Sequence, residues 1–202
     1  MLITFFSLIV LILSVMIHEI AHGSMAFYLG DNTAKREGRL TLNPLKHLDP
    51  LGSVILPLML AIMGSPFVVG WAKPVPINPY NFRDQKWGEL KVSIAGPAAN
   101  FLVAIIFGLL IRFFPISEPL FDSFRIIVVL NLVLGIFNLI PVPPLDGSWI
   151  LMTVLPEKFA NFKILLRQYG IFILIFLIFF SGLDWIFSIA AVFFRLVSGH
   201  PL

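Results

Sequence analysis

Long charge-free stretches alternate with short clusters of charged and turn-forming residues along this chain. Residues 1–17 carry no charge, and the apolar pattern runs on to about Leu29. Residues 50–72, 92–111, 126–145 and 168–183 carry none either, and a shorter apolar stretch follows at 185–194. A helix needs about 20 apolar residues to cross the hydrocarbon core of a bilayer. The pattern therefore predicts an all-α polytopic membrane protein with about four to six membrane segments. No internal repeat or low-complexity linker divides residues 1–202, which read as a single domain. Residues 1–17 match a signal peptide in length only. Their n-region holds no Lys or Arg, and they lead into His18-Glu19 rather than a small-residue cleavage site.

Basic residues collect on the cytoplasmic side of membrane proteins, so they orient the spans. Lys35, Arg36, Arg39 and Lys46 lie in the connector 30–49, and Lys73, Arg83, Lys86 and Lys91 in 73–91. Lys158, Lys163 and Arg167 lie in 146–167, whereas 112–125 holds only Arg112 and Arg125. The N-terminus is thus expected outside, with the first helix running inward. Both flanks of 50–72 are basic, and the segment contains Pro57, Gly64, Pro66 and Gly70. It is expected to re-enter the membrane rather than cross it, its irregular backbone buried in protein or lining water. Segment 92–111 then leads out, 126–145 returns and 168–183 leads out again. The stretch 185–194 is left as a tilted return or an interfacial helix.

Composition narrows the class. Of 202 residues, 58% are hydrophobic and 12% charged, against about a quarter charged in soluble domains. The net charge of +3 includes no long basic run, so a nucleic-acid partner is not expected and the lipid bilayer is. The absence of Cys excludes disulfides, thiolate catalysis and Cys-zinc sites.

The first helix contains His18-Glu19-Ile20-Ala21-His22, an H-E-x-x-H. Histidines at i and i+4 share a helical face and can bind one ion, and the Glu between them is near enough to take a proton from a bound water. A charge at mid-bilayer costs about 2.5–3.5 kcal/mol even on lenient scales, so three ionisable residues in one turn need a compensating partner. A hydrolytic zinc site needs a third protein ligand and one open position. Asp31, Glu37, Asp49, Asp84 and Glu89 fall in connectors; Glu118, Asp122 and Asp184 fall on the outer side; Glu157 lies past a helix end. Asp146 ends an inward-running span, at the side where the first helix delivers its histidines. It is favoured as the third ligand over a role as N-cap of the following helix. His47 sits in a polar, turn-prone connector and reads as solvated or hydrogen-bonded.

Three blocks together resemble the site-2 protease family of intramembrane metalloproteases: His18–Gly23, Ala95–Phe101, and Phe137–Pro141 continuing through Pro144–Gly147. The resemblance covers about residues 10–155 and is similar to the compact prokaryotic branch, with no room in the short outer loop for a PDZ domain and no CBS domain. It implies that His18, His22 and Asp146 bind one Zn2+ per chain, that Glu19 activates water, and that Asn138 contacts the substrate strand. It further implies a membrane-embedded endopeptidase of the prokaryotic cell (inner) membrane, its site toward the cytoplasm and its substrates transmembrane proteins. From the residues alone, Asn138 could equally hydrogen-bond another span, and Asn131 reads as glue between helices. Ala95, Gly96, Ala98 and Ala99 read as close packing rather than chemistry. Trp71, Trp87, Trp149 and Trp185 are expected at interfaces. The Gly70–Phe82 connector could pair with substrate, gate access or merely connect. A metal-ion transporter and an inactive homologue that binds membrane proteins are the competing functions.

Overall fold

The computed structural model describes residues 2–47, 49–63, 73–182 and 184–202, and among them the chain is helical without a β-strand. The α-helices are α1 (Leu2–Tyr28), α2 (Thr33–Arg36), α3 (Leu56–Ile62), α4 (Gly88–Phe113), α5 (Glu118–Asn138), α6 (Asp146–Val154), α7 (Ala160–Phe176) and α8 (Asp184–Ser198). Leu2–Tyr28, Gly88–Phe113, Glu118–Asn138 and Glu157–Phe180 are long and apolar enough to cross a membrane. Their large side chains point outward: Phe5, Leu8 and Ile12 on α1 and Phe172 and Phe176 on α7 are exposed. Backbone groups satisfied within each helix and apolar side chains turned outward are what lipid as solvent requires. The protein is an all-α polytopic membrane protein.

Helix α4 is the centre of the bundle and packs against α1, α5, α6 and α8. Its contacts with α1 run from Asn100 beside Ser14 to Val92 beside His22, so the two are antiparallel. Helix α5 is likewise antiparallel to α4, with Asn131 beside Asn100 and Phe124 beside Phe107. It follows that α1 and α5 run the same way and deliver their C-terminal ends to one end of the bundle. A buried cluster of Ala104, Val128, Leu132, Ile186, Ala190 and Phe194 closes the seam between α4, α5 and α8. At Gly108 a Cβ would sit 2.5 Å from Val197, so the missing side chain lets α8 lie close against α4, as small residues do in membranes.

The structure bears on two segments whose course the sequence left open. The stretch 185–194, left as a tilted return or an interfacial helix, forms α8 and packs within the bundle. Phe193 meets Phe101, Val197 meets Gly108, and Arg112 Nη1 donates to the Leu196 carbonyl at 2.9 Å, so α8 is packed in the bundle parallel to α4. Its fully buried stripe of Ala190, Phe194 and Ser198 explains the placement. Asp184 therefore lies toward the end where α4 begins, not at the opposite end. Residues 50–62 form a π turn (Pro50–Ile55) running into the seven-residue α3, short of the ~20 residues a crossing needs. The rest of the expected re-entrant segment, 64–72, lies outside the described residues.

After that segment, residues 73–78 run extended along the end of α1, pinned at both ends. At one end Arg39, buried, donates from Nη2 to the carbonyls of Lys73 (2.6 Å) and Pro74 (3.1 Å) and from Nη1 to that of Lys46. Lys73 N–H donates to His47 O at 2.9 Å. At the other end Asp31, fully buried, accepts from Asn78 N–H (2.7 Å), Asn81 Nδ2 (2.8 Å), Thr33 N–H (3.0 Å) and Thr33 Oγ1 (2.5 Å). Burial by itself would raise the Asp31 pKa, but these four donors outweigh it and hold the carboxyl below its ordinary value of 3.8. The stability this group contributes is thus present above about pH 4 and is lost as pH falls through its lower folded value. Thermal unfolding in detergent should show that loss on acidification, and the Asp31→Asn protein should lack this group's share of the slope. Asp31→Ala should cost roughly 2–3 kcal/mol at neutral pH by stranding buried donors.

Candidate metal centre

His18 and His22 lie one helical turn apart on the face of α1 turned toward α4, 6% and 7% exposed. The Nδ1 of His22 is 2.7 Å from the Val92 carbonyl. A carbonyl can only accept, so the proton of the neutral ring sits on Nδ1 and Nε2 presents a bare lone pair. The Nδ1 of His18 is 2.6 Å from Asn100 Oδ1, which imposes the same tautomer. The two Nε2 atoms are 3.0 Å apart. Between two neutral rings so protonated, that approach is a meeting of lone pairs and not a hydrogen bond.

Asp146 joins them. It is the first residue of α6; the N-cap is Leu145, and no side chain caps the helix there. The carboxylate is thus free of the capping role that competed with ligation in the sequence reading. Its Oδ2 lies 3.0 Å from His18 Nε2 and 3.2 Å from His22 Nε2, buried and without a hydrogen-bond partner among the described residues. Three lone-pair atoms in a buried pocket repel unless a positive charge sits among them. An ion bound tetrahedrally at ~2.0 Å would set its ligand atoms about 3.3 Å apart, close to the spacing found. The second nitrogen of each imidazole is already held by an oxygen, as is usual around metal-bound histidine. These three residues form the one group of His, Asp or Glu among the described residues that could hold a metal ion.

The approach of α4 makes the cluster compact. A Cβ at Gly96 would lie 2.6 Å from His18 Nε2 and closer still to His22 Nε2, so only glycine leaves the imidazoles their space. Glu19 sits beside the pair and accepts the Val75 N–H at 2.8 Å through Oε2. The pinned segment 73–78 thereby fixes one oxygen of this carboxylate. A cavity of about 510 Å³ opens over the cluster, lined by His18, Glu19, His22 and Asp146 with Asn138, Val75, Ile77, Ser93 and Trp149 among its walls. Asn138 Nδ2 donates to its own helix, at Leu134 O (3.0 Å), and not to another span.

Every site residue named from the sequence therefore lines one cavity. His47 stands apart, buried with Nε2 on the Thr41 carbonyl at 2.8 Å. Asn131 does join helices, donating to Ser14 Oγ at 2.9 Å. The 95–101 block is more than packing, because Gly96 and Asn100 both touch the histidines. Their i, i+4 spacing, with a polar amide inside a charge-free span, was the signal available. Trp149 lines the cavity rather than only marking an interface, and Trp71 lies outside the described residues.

Residues 115–177, which carry Asn138 and Asp146, match the family model described as Peptidase family M50. The chain is 40% identical over 181 residues to "Putative zinc metalloprotease YwhC" of Bacillus subtilis (strain 168), covering 85% of this chain and 78% of that one. It is 30% identical over 186 residues to "Putative zinc metalloprotease Rip2" of Mycolicibacterium smegmatis, covering 91% and 70%. "Zinc metalloprotease MJ0392" of Methanocaldococcus jannaschii is 37% identical over 91 residues, 44% of this chain and 27% of that one. No solved structure matches at a significant level. Taken with an H-E-x-x-H helix whose histidines meet an aspartate at the start of α6, these relationships establish that the chain belongs to peptidase family M50 and is a metalloendopeptidase of the site-2 protease type.

Proposed function

We propose that this peptidase is zinc-dependent and hydrolyses peptide bonds in or near the transmembrane segments of membrane proteins. The observation that carries the reading is the convergence of His18 Nε2, His22 Nε2 and Asp146 Oδ2 within 3.0–3.2 Å at the ends of membrane-spanning helices. Two imidazoles and one carboxylate suit zinc, with a position left for water. When bound, zinc supplies Lewis acidity at the scissile carbonyl and acidifies water. Glu19 accepts a proton from that water through the carboxylate oxygen that Val75 leaves free, and returns it to the departing amine. His18, His22 and Asp146 hold their lone pairs on the centre throughout.

The place of the cavity bears on the substrate. A transmembrane helix conceals its peptide bonds in internal hydrogen bonds and must unwind locally before it can be cut. Asn138, half-buried at the cavity wall with one N–H on its own helix, has donor and acceptor capacity left for an unwound strand. The basic connectors around the cavity end of the bundle support a cytoplasmic position for that end and an outside N-terminus, and the bacterial relatives support a prokaryotic cell membrane. One compact cluster, rather than ligands strung along several spans, disfavours the transporter reading.

Purified Glu19→Gln protein should retain zinc and lose about 10²–10⁴-fold in cleavage of a model transmembrane substrate; unchanged cleavage would remove Glu19 from the chemistry. Asp146→Ala should lose zinc, read by metal analysis after gel filtration, and full occupancy would refute the ligand assignment. Gly96→Val should lose both zinc and activity, because its side chain needs the space of the two imidazoles. Gly96→Val protein with normal metal content would show that α4 does not pack as described.

A further inference from the structure

We infer that Asn100 is a positioning residue for the metal centre, and that a buried chain of hydrogen bonds across three spans sets the tautomer of His18. The inference rests on the reading of His18 as a zinc ligand.

The chain has a fixed polarity. Asn131 Nδ2 donates to the Ile127 carbonyl and to Ser14 Oγ, each at 2.9 Å. The Ile127 carbonyl can only accept, so it fixes which end of the Asn131 amide is nitrogen and turns Oδ1 toward Asn100. Asn100 Nδ2 then donates to Asn131 Oδ1 at 2.9 Å and to the Ser14 carbonyl at 3.3 Å. Both of its N–H bonds are used, and its Oδ1 is left facing His18 Nδ1 at 2.6 Å. That oxygen requires a proton on Nδ1 and so bares Nε2 toward the cluster. Asn100 and Asn131 are fully buried, and Ser14 is nearly so. With no water to compete, a reversed Asn100 amide would turn its oxygen toward two acceptors and leave both without their donor. The order of the chain is therefore held by two backbone carbonyls, and His18 receives its tautomer from them. His22 gets the same result directly from the Val92 carbonyl.

A packing role and a positioning role predict opposite outcomes for two variants. Asn100→Leu fills the space but removes the acceptor. Asn100→Asp keeps an acceptor toward His18 but introduces a buried charge. Zinc affinity of the full-length protein, measured in detergent by chelator competition, should fall 10–100-fold in Asn100→Leu and stay within about threefold of the wild type, or tighten, in Asn100→Asp. If Asn100→Leu binds zinc as tightly as the wild type, or if Asn100→Asp is the weaker of the two, the positioning role is wrong. Nitrogen-15 NMR of histidine-labelled, metal-free wild type needs neither variant to fold. It should show His18 with a proton on Nδ1, and a bare Nδ1 would overturn the proposal. Failure of the wild type to bind zinc would instead sink the metal reading itself.

Discussion

A polar group at bilayer depth finds no water, so each must be answered by another part of the protein. The rest of this structure depends on that requirement. His18, His22 and Asp146 bring three lone pairs together in a buried pocket, and the grouping makes sense only around a positive charge. The bundle is arranged to permit it. Helices α1 and α5 run in the same direction, so the histidines of one and the aspartate that follows the other reach the same level. Helix α4 runs between them in the opposite direction, and its Gly96 leaves room for the imidazoles.

The same requirement reaches outward in two directions. Toward the membrane interior, Asn100, Asn131 and Ser14 satisfy one another and leave a single acceptor for His18. Toward the connectors, Arg39 and Asp31 hold residues 73–78 across the mouth of the site, where the Val75 amide meets Glu19. One network orients His18, the proposed ligand, and the other orients Glu19, the proposed base. Both end on α1, so the helix that carries the H-E-x-x-H is restrained from its membrane side and from its connector side. Orientation matters because a metal-assisted hydrolysis depends on lone pairs and a carboxylate oxygen that are in place before the substrate arrives.

Much of this was legible in the chain. Charge-free stretches of about 20 residues can be little other than spans in lipid, and an i, i+4 histidine pair has a geometry that the helix alone dictates. Asp146 could be picked out because charges are scarce and most of the other carboxylates fall in connectors. The direction of α8 was not legible. Its 15 residues are too few to identify as a span from length, and only the stripe of Ala190, Phe194 and Ser198 packed on α4 and α5 sets it parallel to α4. Whether Asp146 would cap α6 or turn to the histidines also lay beyond the sequence, since both roles use the same residue at a helix start.

The sequence by itself determined the solvent, pointed to about four to six membrane segments, and singled out His18, His22, Asp146 and Glu19 as the proposed metal-binding residues and base. These follow from local composition and helical periodicity, which need no knowledge of neighbours. The tertiary structure decided the surroundings of those groups: Asn100 on His18, Val92 on His22, Val75 on Glu19, and the Gly96 backbone against both rings. Each of these contacts joins residues more than 50 positions apart. Spacing along the chain carries no information about them, because only the packing of α4 against α1 and the course of the 73–78 segment bring the partners within reach.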